Sequence, residues 1–407
     1  MASNVIVGQS GGPTAVINAS LAGVYEAAKA MGAPKVYGMR YGVQGLLAGK
    51  TVDLGEHFFD PIHLELLKRT PSSFLGSCRY KLPDMTTQPE LYEKLFAILN
   101  KMDVGYFFYI GGNDSMDTIC KLSDYARAVH SDIKFMGVPK TIDNDLEATD
   151  HTPGFGSAAK YIATMTKEII RDSLVYDMQS VTVVEIMGRN AGWLAASSAL
   201  AKGPDCEGVD AIYLPETPFD PQRFLQDVKE LQRHKGNVVV AVSEGIRTAE
   251  GTYVAELEER LGPQDAFGHK ILTGTARYLA GQVIRCLGTK ARAIELSTLQ
   301  RCGSHVASLT DTNEAYAVGA AAVEAAREGH TGEMMCLVRR DDLPYQCVTR
   351  PEDIHRIANR EKRVPAAWIT ADGRGVTEDL VRYMRPLVQG ELNPIYVEGL
   401  PRHIYLQ

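Results

Sequence analysis

Short apolar runs of strand length alternate with amphipathic stretches of helix length through most of this 407-residue chain. The first four runs are residues 5–8, 35–39, 104–110 and 133–138, with helices read at 15–30, 88–101 and 115–129. Runs apolar on both faces and joined by helices fit a parallel sheet covered on both sides. After a helix at 154–171, a second alternating set follows at 181–186, 209–214, 237–242 and 291–296, with helices read at 191–201, 219–233 and 311–327. The length exceeds what one ordinary core serves. The expectation is an α/β protein with two doubly wound, Rossmann-like lobes and mainly parallel sheets. Residues 1–153 form the N-terminal lobe and 154–300 the second, with an insertion at 246–290 where the alternation breaks. Residues 301–407 are expected to pack across both lobes.

In open parallel sheets, ligands bind beyond the carboxyl ends of the strands, so the residues after each run matter most. The run at 133–138 exits at Pro139, which cannot donate to a ladder. Lys140, Thr141, Ile142, Asp143, Asn144 and Asp145 follow at once. The run at 104–110 ends in Gly111, Gly112, Asn113, Asp114 and Ser115. The plain alternative for such residues is turn formation and helix capping. Two successive ends of this kind suit a magnesium–phosphate site, where hard oxygens hold the ion and small residues admit backbone N–H groups. The first run leads to Ser10, Gly11, Gly12, Pro13 and Thr14, a Gly pair read at a helix start. Arg79 and Lys81 sit in a Gly/Ser loop as phosphate-binding candidates, although such cations most often face solvent. In the second half Arg189, Glu244 and Arg301 stand at strand ends. An Arg there suits a phosphate and a Glu suits sugar hydroxyls; the structural alternative is an ion pair.

Two look-alikes fail on context. Gly49-Lys50-Thr51 ends like a nucleotide phosphate loop, but the Gly needed at position 44 is Gln44, so 41–51 reads as a turn. Gly154 and Gly156 imitate a dinucleotide fingerprint, but a polar loop precedes them where a strand should be. No apolar stretch is long enough to span a bilayer, and the first residues carry no signal-peptide pattern. The seven Cys are odd in number and form no C-x-x-C, which points to a reducing, cytoplasmic setting. A net charge of −7 argues against a general nucleic-acid binder. Neither nucleic acid nor membrane is expected as a partner.

Taken in order, Ser10-Gly11-Gly12, the 111–115 segment, the 139–145 segment, Met187-Gly188-Arg189, Ser243-Glu244 and Gln300-Arg301 resemble the phosphofructokinase family. The resemblance covers residues 4 to about 329 and implies the phosphofructokinase fold and phosphorylation of fructose 6-phosphate on its 1-hydroxyl. It implies that Asp143 is the general base and that Thr141 and Ile142 line the substrate loop. Asn113 and Asp145 take the positions of the Mg2+ site, although the usual family residue at 113 is Asp. Met187, Gly188, Arg189 and Glu244 match sugar-phosphate contacts. Thr298, Leu299, Gln300 and Arg301 match a 6-phosphate segment, and Arg292 resembles an arginine lent by a neighbouring subunit. A second such arginine of many members stands here as Ser180. A homodimer or homotetramer with shared active sites is implied.

ATP-using members resemble one another in carrying Gly at the positions of Asp114 and Lys140. Charged residues at both are the diphosphate pattern, with Gly11, Gly12, Arg79 and Lys140 around the donor and Lys140 and Asp114 acting beside Asp143 and Thr141 in catalysis. Gly at both positions is expected to admit ATP. The rivals are an ATP-dependent 6-phosphofructokinase and a sugar-phosphate sensor without catalysis; the sensor reading sits poorly with both Asp143 and Asp145 in place.

Overall fold

A computed structural model of the chain describes residues 3–257 and 274–406. The first part runs β1 (Asn4–Gln9), α1 (Ile17–Ala30), β2 (Val36–Met39), α2 (Gly42–Leu47), β3 (Thr51–Asp53), α3 (Pro61–Arg69), α4 (Pro89–Lys101), β4 (Val104–Gly111), α5 (Asn113–Ala128) and β5 (Lys134–Pro139). The second part runs α6 (Phe155–Ser173), β6 (Ser180–Ile186), α7 (Trp193–Ala196), β7 (Ala211–Tyr213), α8 (Pro221–Leu231), β8 (Asn237–Ser243), α9 (Thr275–Leu287) and β9 (Lys290–Glu295). Then come α10 (Leu299–Cys302), α11 (Leu309–Arg327), β10 (Glu333–Asp342), β11 (Tyr345–Asp353) and α12 (Glu378–Met384).

The first sheet has the order β11-β10-β5-β4-β1-β2-β3, with β3 and β11 as antiparallel edges and the rest parallel. The second has the order β7-β8-β6-β9 and is parallel throughout. The expected α/β architecture with mainly parallel sheets is therefore present. Side chains of β4 and β5 alternate between two cores. Phe108, Ile110, Met136 and Val138 pack with residues of α1 and α11, while Phe107, Tyr109 and Phe135 pack with residues of α4 and α5. This two-sided burial is what the unbroken apolar runs require. Each fully buried Phe contributes roughly 1.5–3 kcal/mol. Helices α1 and α11 cross closely because each offers a Gly. A Cβ on Gly23 would lie 2.1 Å from the Tyr316 carbonyl, and one on Gly319 would lie 2.2 Å from that of Ser20.

Residues after 300 enter both cores. β10 extends the first sheet beside β5, and Leu380, Met384 and Leu387 pack with Phe155, Ile162 and Leu194 under the second. Within the segment 246–290, residues 258–273 lie outside the described residues. Residues 275–287 form α9, whose Ala276, Leu279 and Val283 share a core with Val181, Val183 and Val240.

Three local expectations need correction. Residues 41–51, read as a turn, contain α2 and the start of β3; Tyr41, at φ 60°, opens that helix. The helix expected from residue 15 begins at Ile17, so the Gly11–Gly12 pair belongs to a connecting loop and not to the first helical turn. Thr14 Oγ1 accepts from the Val16 N–H at 3.2 Å and holds that loop. The helix expected at 191–201 is a single α turn, α7, followed by a 3-10 turn at Ser197–Ala201.

A buried polar network ties the loop after β5 to α11, β10 and β11. His151 is 1% exposed. Its Nδ1 lies 2.8 Å from Asp150 Oδ2 and its Nε2 2.6 Å from Glu314 Oε2. Burial disfavours the imidazolium, but the two carboxylates outweigh it and raise His151 to about 9, so the ring donates from both nitrogens at neutral pH. Arg339 Nη2 donates to Asp150 at 3.0 Å and Tyr345 OH to Glu314 Oε1 at 2.6 Å. Both carboxylates of this cluster thereby meet donors, which buried charge demands.

Candidate active site

The carboxyl ends of β1, β4, β5, β6 and β8 open into one cleft of about 610 Å³. Its lining includes Gly11, Gly12, Arg79, Asn113, Asp114, Lys140, Thr141, Ile142, Asp143, Asp145, Met187, Arg189, Glu244 and Arg301. A larger open hollow of about 760 Å³ lies at the opposite, amino-terminal ends of β4 and β5 beside Val104 and Lys134. In a parallel sheet that end carries no ligand site as a rule.

The loop after β5 is fixed by backbone bonds. Lys140 N–H donates to the Gly111 carbonyl at 3.0 Å, continuing the β4–β5 ladder one residue past Pro139, and Thr141 N–H donates to Pro153 O at 3.2 Å. Asn144 is fully buried with φ 54°, a left-handed conformation that Asn tolerates. Its side chain donates to Tyr383 OH at 3.0 Å and accepts from Thr152 N–H at 3.1 Å. Asn144 is thus the peg that sets Asp143 and Asp145 on either side of it. Asp143 N–H donates to Thr141 Oγ1 at 3.1 Å.

Lys140 is 3% exposed and donates from Nζ to the Gly12 carbonyl at 2.6 Å. Burial lowers it to about 8, against the pull of Asp143 and Asp145. Burial also raises Asp143 above the usual carboxylate range, opposed by Lys140, Arg189 and Arg301. Asp145 is raised by burial and then by the Asp143 and Glu361 carboxylates. Glu244 is pushed up to about 8 by burial and by Asp143. The cleft therefore holds carboxylates at heightened basicity beside a lysine near its own midpoint, a mark of sites built for proton transfer and anion binding. Gly11 has φ 77°, and a Cβ there would stand 3.3 Å from Lys140 Nζ. On Gly12 a Cβ would stand 3.2 Å from Arg301 Nη1. The Gly pair keeps this backbone open to the two cations.

Two acceptor oxygens of the cleft, Asn113 Oδ1 and Asp145 Oδ1, are buried and accept no hydrogen bond. Buried oxygens without donors suit a cation. Among the described residues, the one group of three His, Cys, Asp or Glu with ligand atoms within 4.8 Å of one another is Cys120, Asp124 and His355, outside the cleft. The cleft thus offers no closed cage. It fits a hard divalent ion that takes one or two protein oxygens and completes its shell with water and phosphate.

Several expected residues lie back from the cleft lining. Gly188 N–H donates to Glu244 Oε1 at 3.4 Å, and its φ of 136° is open to Gly alone. Gln300 is buried and accepts from Met187 N–H at 3.3 Å while donating to Ser297 O at 3.0 Å, so it orients the end of β6. Thr298 and Leu299 are exposed outside the lining. Arg292 projects from the edge strand β9, where it pairs with Asp172 at 3.2 Å, both largely exposed. It does not reach the cleft of its own chain. Gly154 and Gly156 belong to a buried helix entry: Gly154 N–H and Ser157 N–H donate to the Asp311 carboxylate at 2.9 and 2.8 Å. Two lining residues that local sequence did not reveal, Asn359 and Glu361, come from beyond β11. No signature marks them, because only the return of the chain after β11 places them here.

A model of the family described as Phosphofructokinase matches residues 4–326. The pyrophosphate–fructose 6-phosphate 1-phosphotransferase of Methylococcus capsulatus is 43% identical, with 100% of this chain and 96% of that protein covered. The enzyme of the same name from Halomonas elongata is 42% identical, with 98% and 95% covered. A crystal structure of a pyrophosphate-dependent phosphofructokinase from Nitrosospira multiformis superposes with a TM-score of 0.89 at 40% identity, with 99% of this chain and 96% of that one covered. With the motif loop, the paired sheets and the cleft between them already in place, these likenesses assign the chain to the phosphofructokinase family.

Proposed function

We propose that the protein transfers a phosphoryl group from diphosphate to the 1-hydroxyl of fructose 6-phosphate, giving fructose 1,6-bisphosphate and phosphate. The observation that carries this reading is that buried Lys140 and Asp114 line one cleft, charged residues at the two positions where the family resemblance implies Gly in ATP-using members. A compact ammonium at Lys140 takes up the charge that gathers on the departing phosphate. The Asp114 carboxylate sets a like charge where a further phosphate would pass, about 4 kcal/mol at 4 Å and an effective dielectric near 20.

Asp143 accepts the proton of the 1-hydroxyl as that oxygen attacks phosphorus, and its raised basicity suits the task. Thr141, Ile142, Met187, Gly188, Arg189 and Glu244 orient the sugar, and Arg301 faces its 6-phosphate; Gln300 holds the Met187 backbone in place. Gly11, Gly12 and Arg79 bind the donor with Lys140. Asn113 Oδ1 and Asp145 would hold Mg2+, whose chemistry when bound is to neutralise and align phosphate oxygens. A neutral amide at 113 leaves Asp145 as the charged ligand. Arg292 serves a neighbouring cleft in a homodimer or homotetramer, which is supported by its exposed place on an edge strand away from its own site. Seven unpaired cysteines support a reducing, cytoplasmic setting. Among the described residues no helix is long and apolar enough to cross a membrane.

The bond broken in diphosphate and the bond made in the sugar phosphate are comparable in energy, so the reaction runs both ways. Fructose 1,6-bisphosphate and phosphate with Mg2+ are expected to yield diphosphate, followed by phosphorus NMR. Failure to form any diphosphate in an enzyme that phosphorylates fructose 6-phosphate from ATP contradicts the proposal.

A further inference from the structure

We propose that residues 359–361 form a stop that limits the length of the phosphoryl donor. The proposal rests on the diphosphate reading above and deepens it. Asn359 and Glu361 line the cleft beside Asn113, Asp114 and Ser115, the residues that open α5. The segment is tied down on both sides of the cleft. Asn359 Nδ2 donates to Asp117 Oδ1 at 2.9 Å, and Arg360 O accepts from Asn113 Nδ2 at 2.7 Å. Across the cleft, Glu361 Oε1 accepts from Asn190 Nδ2 at 2.7 Å. The chain then continues into a fixed anchor, where Lys362 N–H donates to Asp145 O at 2.8 Å and the Trp193 indole donates to Lys362 O at 3.0 Å.

The wall behind this strap is continuous. Asp117 is 5% exposed, and its second oxygen accepts from Lys121 Nζ at 2.6 Å. The same ammonium donates to Leu82 O at 2.9 Å. Asn113, Asp117 and Lys121 are spaced four apart and share one face of α5. The strap lies along that face from Asn113 to Asp117, flanking Asp114. A donor of two phosphorus atoms ends before it. A chain with a third phosphate, or a nucleoside beyond that, runs into Asn359–Glu361. Length exclusion by the strap thus acts together with charge exclusion by Asp114, and it revises the sequence expectation: with the strap intact, Gly at 114 and 140 alone does not admit ATP.

The test is the ratio of kcat/KM for tripolyphosphate to that for diphosphate, with fructose 6-phosphate and Mg2+. It compares the full-length wild type with Asn359→Gly/Arg360→Gly/Glu361→Gly. A ratio taken on one enzyme cancels any general loss of activity. The ratio is expected to rise about 10-fold or more in the variant. Asn359→Asp, which sets two carboxylates against each other at Asp117, is expected to raise it in the same direction and serves if the triple variant does not fold. An unchanged ratio in variants that still use diphosphate overturns the strap alone. So does efficient ATP use by Asp114→Gly/Lys140→Gly with the strap intact. A wild type that does not turn over diphosphate overturns both the strap and the reading beneath it.

Discussion

Asp143→Asn is expected to lower kcat with diphosphate by roughly 10²- to 10⁴-fold, the usual worth of a positioned general base. Asn keeps the size of the side chain but takes up no proton. The loop stays in place, because its supports lie elsewhere: Asn144 is pegged to Tyr383 and Thr152, and Thr141 to Pro153. KM for fructose 6-phosphate therefore stays near the wild-type value or falls, since one negative charge has left a cleft that binds anions. That split, kcat lost with KM kept, is the mark of a group acting in the transition state. Steady-state kinetics with a thermal melt as the folding control checks it. A loss of less than about 10-fold would assign the base to another residue.

Lys140→Met is expected to lower kcat with diphosphate by roughly 10²- to 10³-fold, the range for removing one donor aimed at developing charge. Met has a similar length and suits the buried position, so packing is disturbed little. The same residue sets a pH dependence whose direction follows from its surroundings. Burial brings Lys140 to about 8, and its charged form is the useful one. In the free enzyme kcat/KM for diphosphate is full below that pH and falls as pH rises through it. Diphosphate itself titrates in this region, so the comparison needs Lys140→Arg, whose guanidinium keeps its proton. That variant is expected to be slower but to lose less activity between pH 7.5 and about 9. Identical alkaline limbs in the two enzymes would remove Lys140 as their source.

Much of this site was legible because a parallel sheet writes its function at strand ends. The apolar runs 104–110 and 133–138 could be seen directly, and whatever followed them had to face the crevice. Thus Asn113, Asp114, Lys140, Asp143 and Asp145 could be placed from local sequence, as could Arg189 and Glu244 in the second sheet. Helix α2 was hidden because a Gly-rich stretch resembles a turn, while its stability comes from tertiary burial of Val43 and Leu46. The role of Asn144 was hidden for a related reason: its left-handed backbone and its bond to Tyr383 are set by a residue 239 positions away. Asn359 and Glu361 carried no signal at all, because they reach the cleft only through the return of β10 and β11 to the first sheet. Arg292 shows the converse. Only the resemblance singled it out, as an arginine for a neighbouring subunit, and its place on the edge strand β9 keeps it out of its own cleft.

The central claim concerns the donor. It is tested most directly by initial rates with fructose 6-phosphate and Mg2+, diphosphate being compared with ATP at equal concentration. The charges at Asp114 and Lys140 require diphosphate to be faster by about 100-fold or more. A rate with ATP equal to or above that with diphosphate would leave the fold and Asp143 in place and contradict the donor assignment.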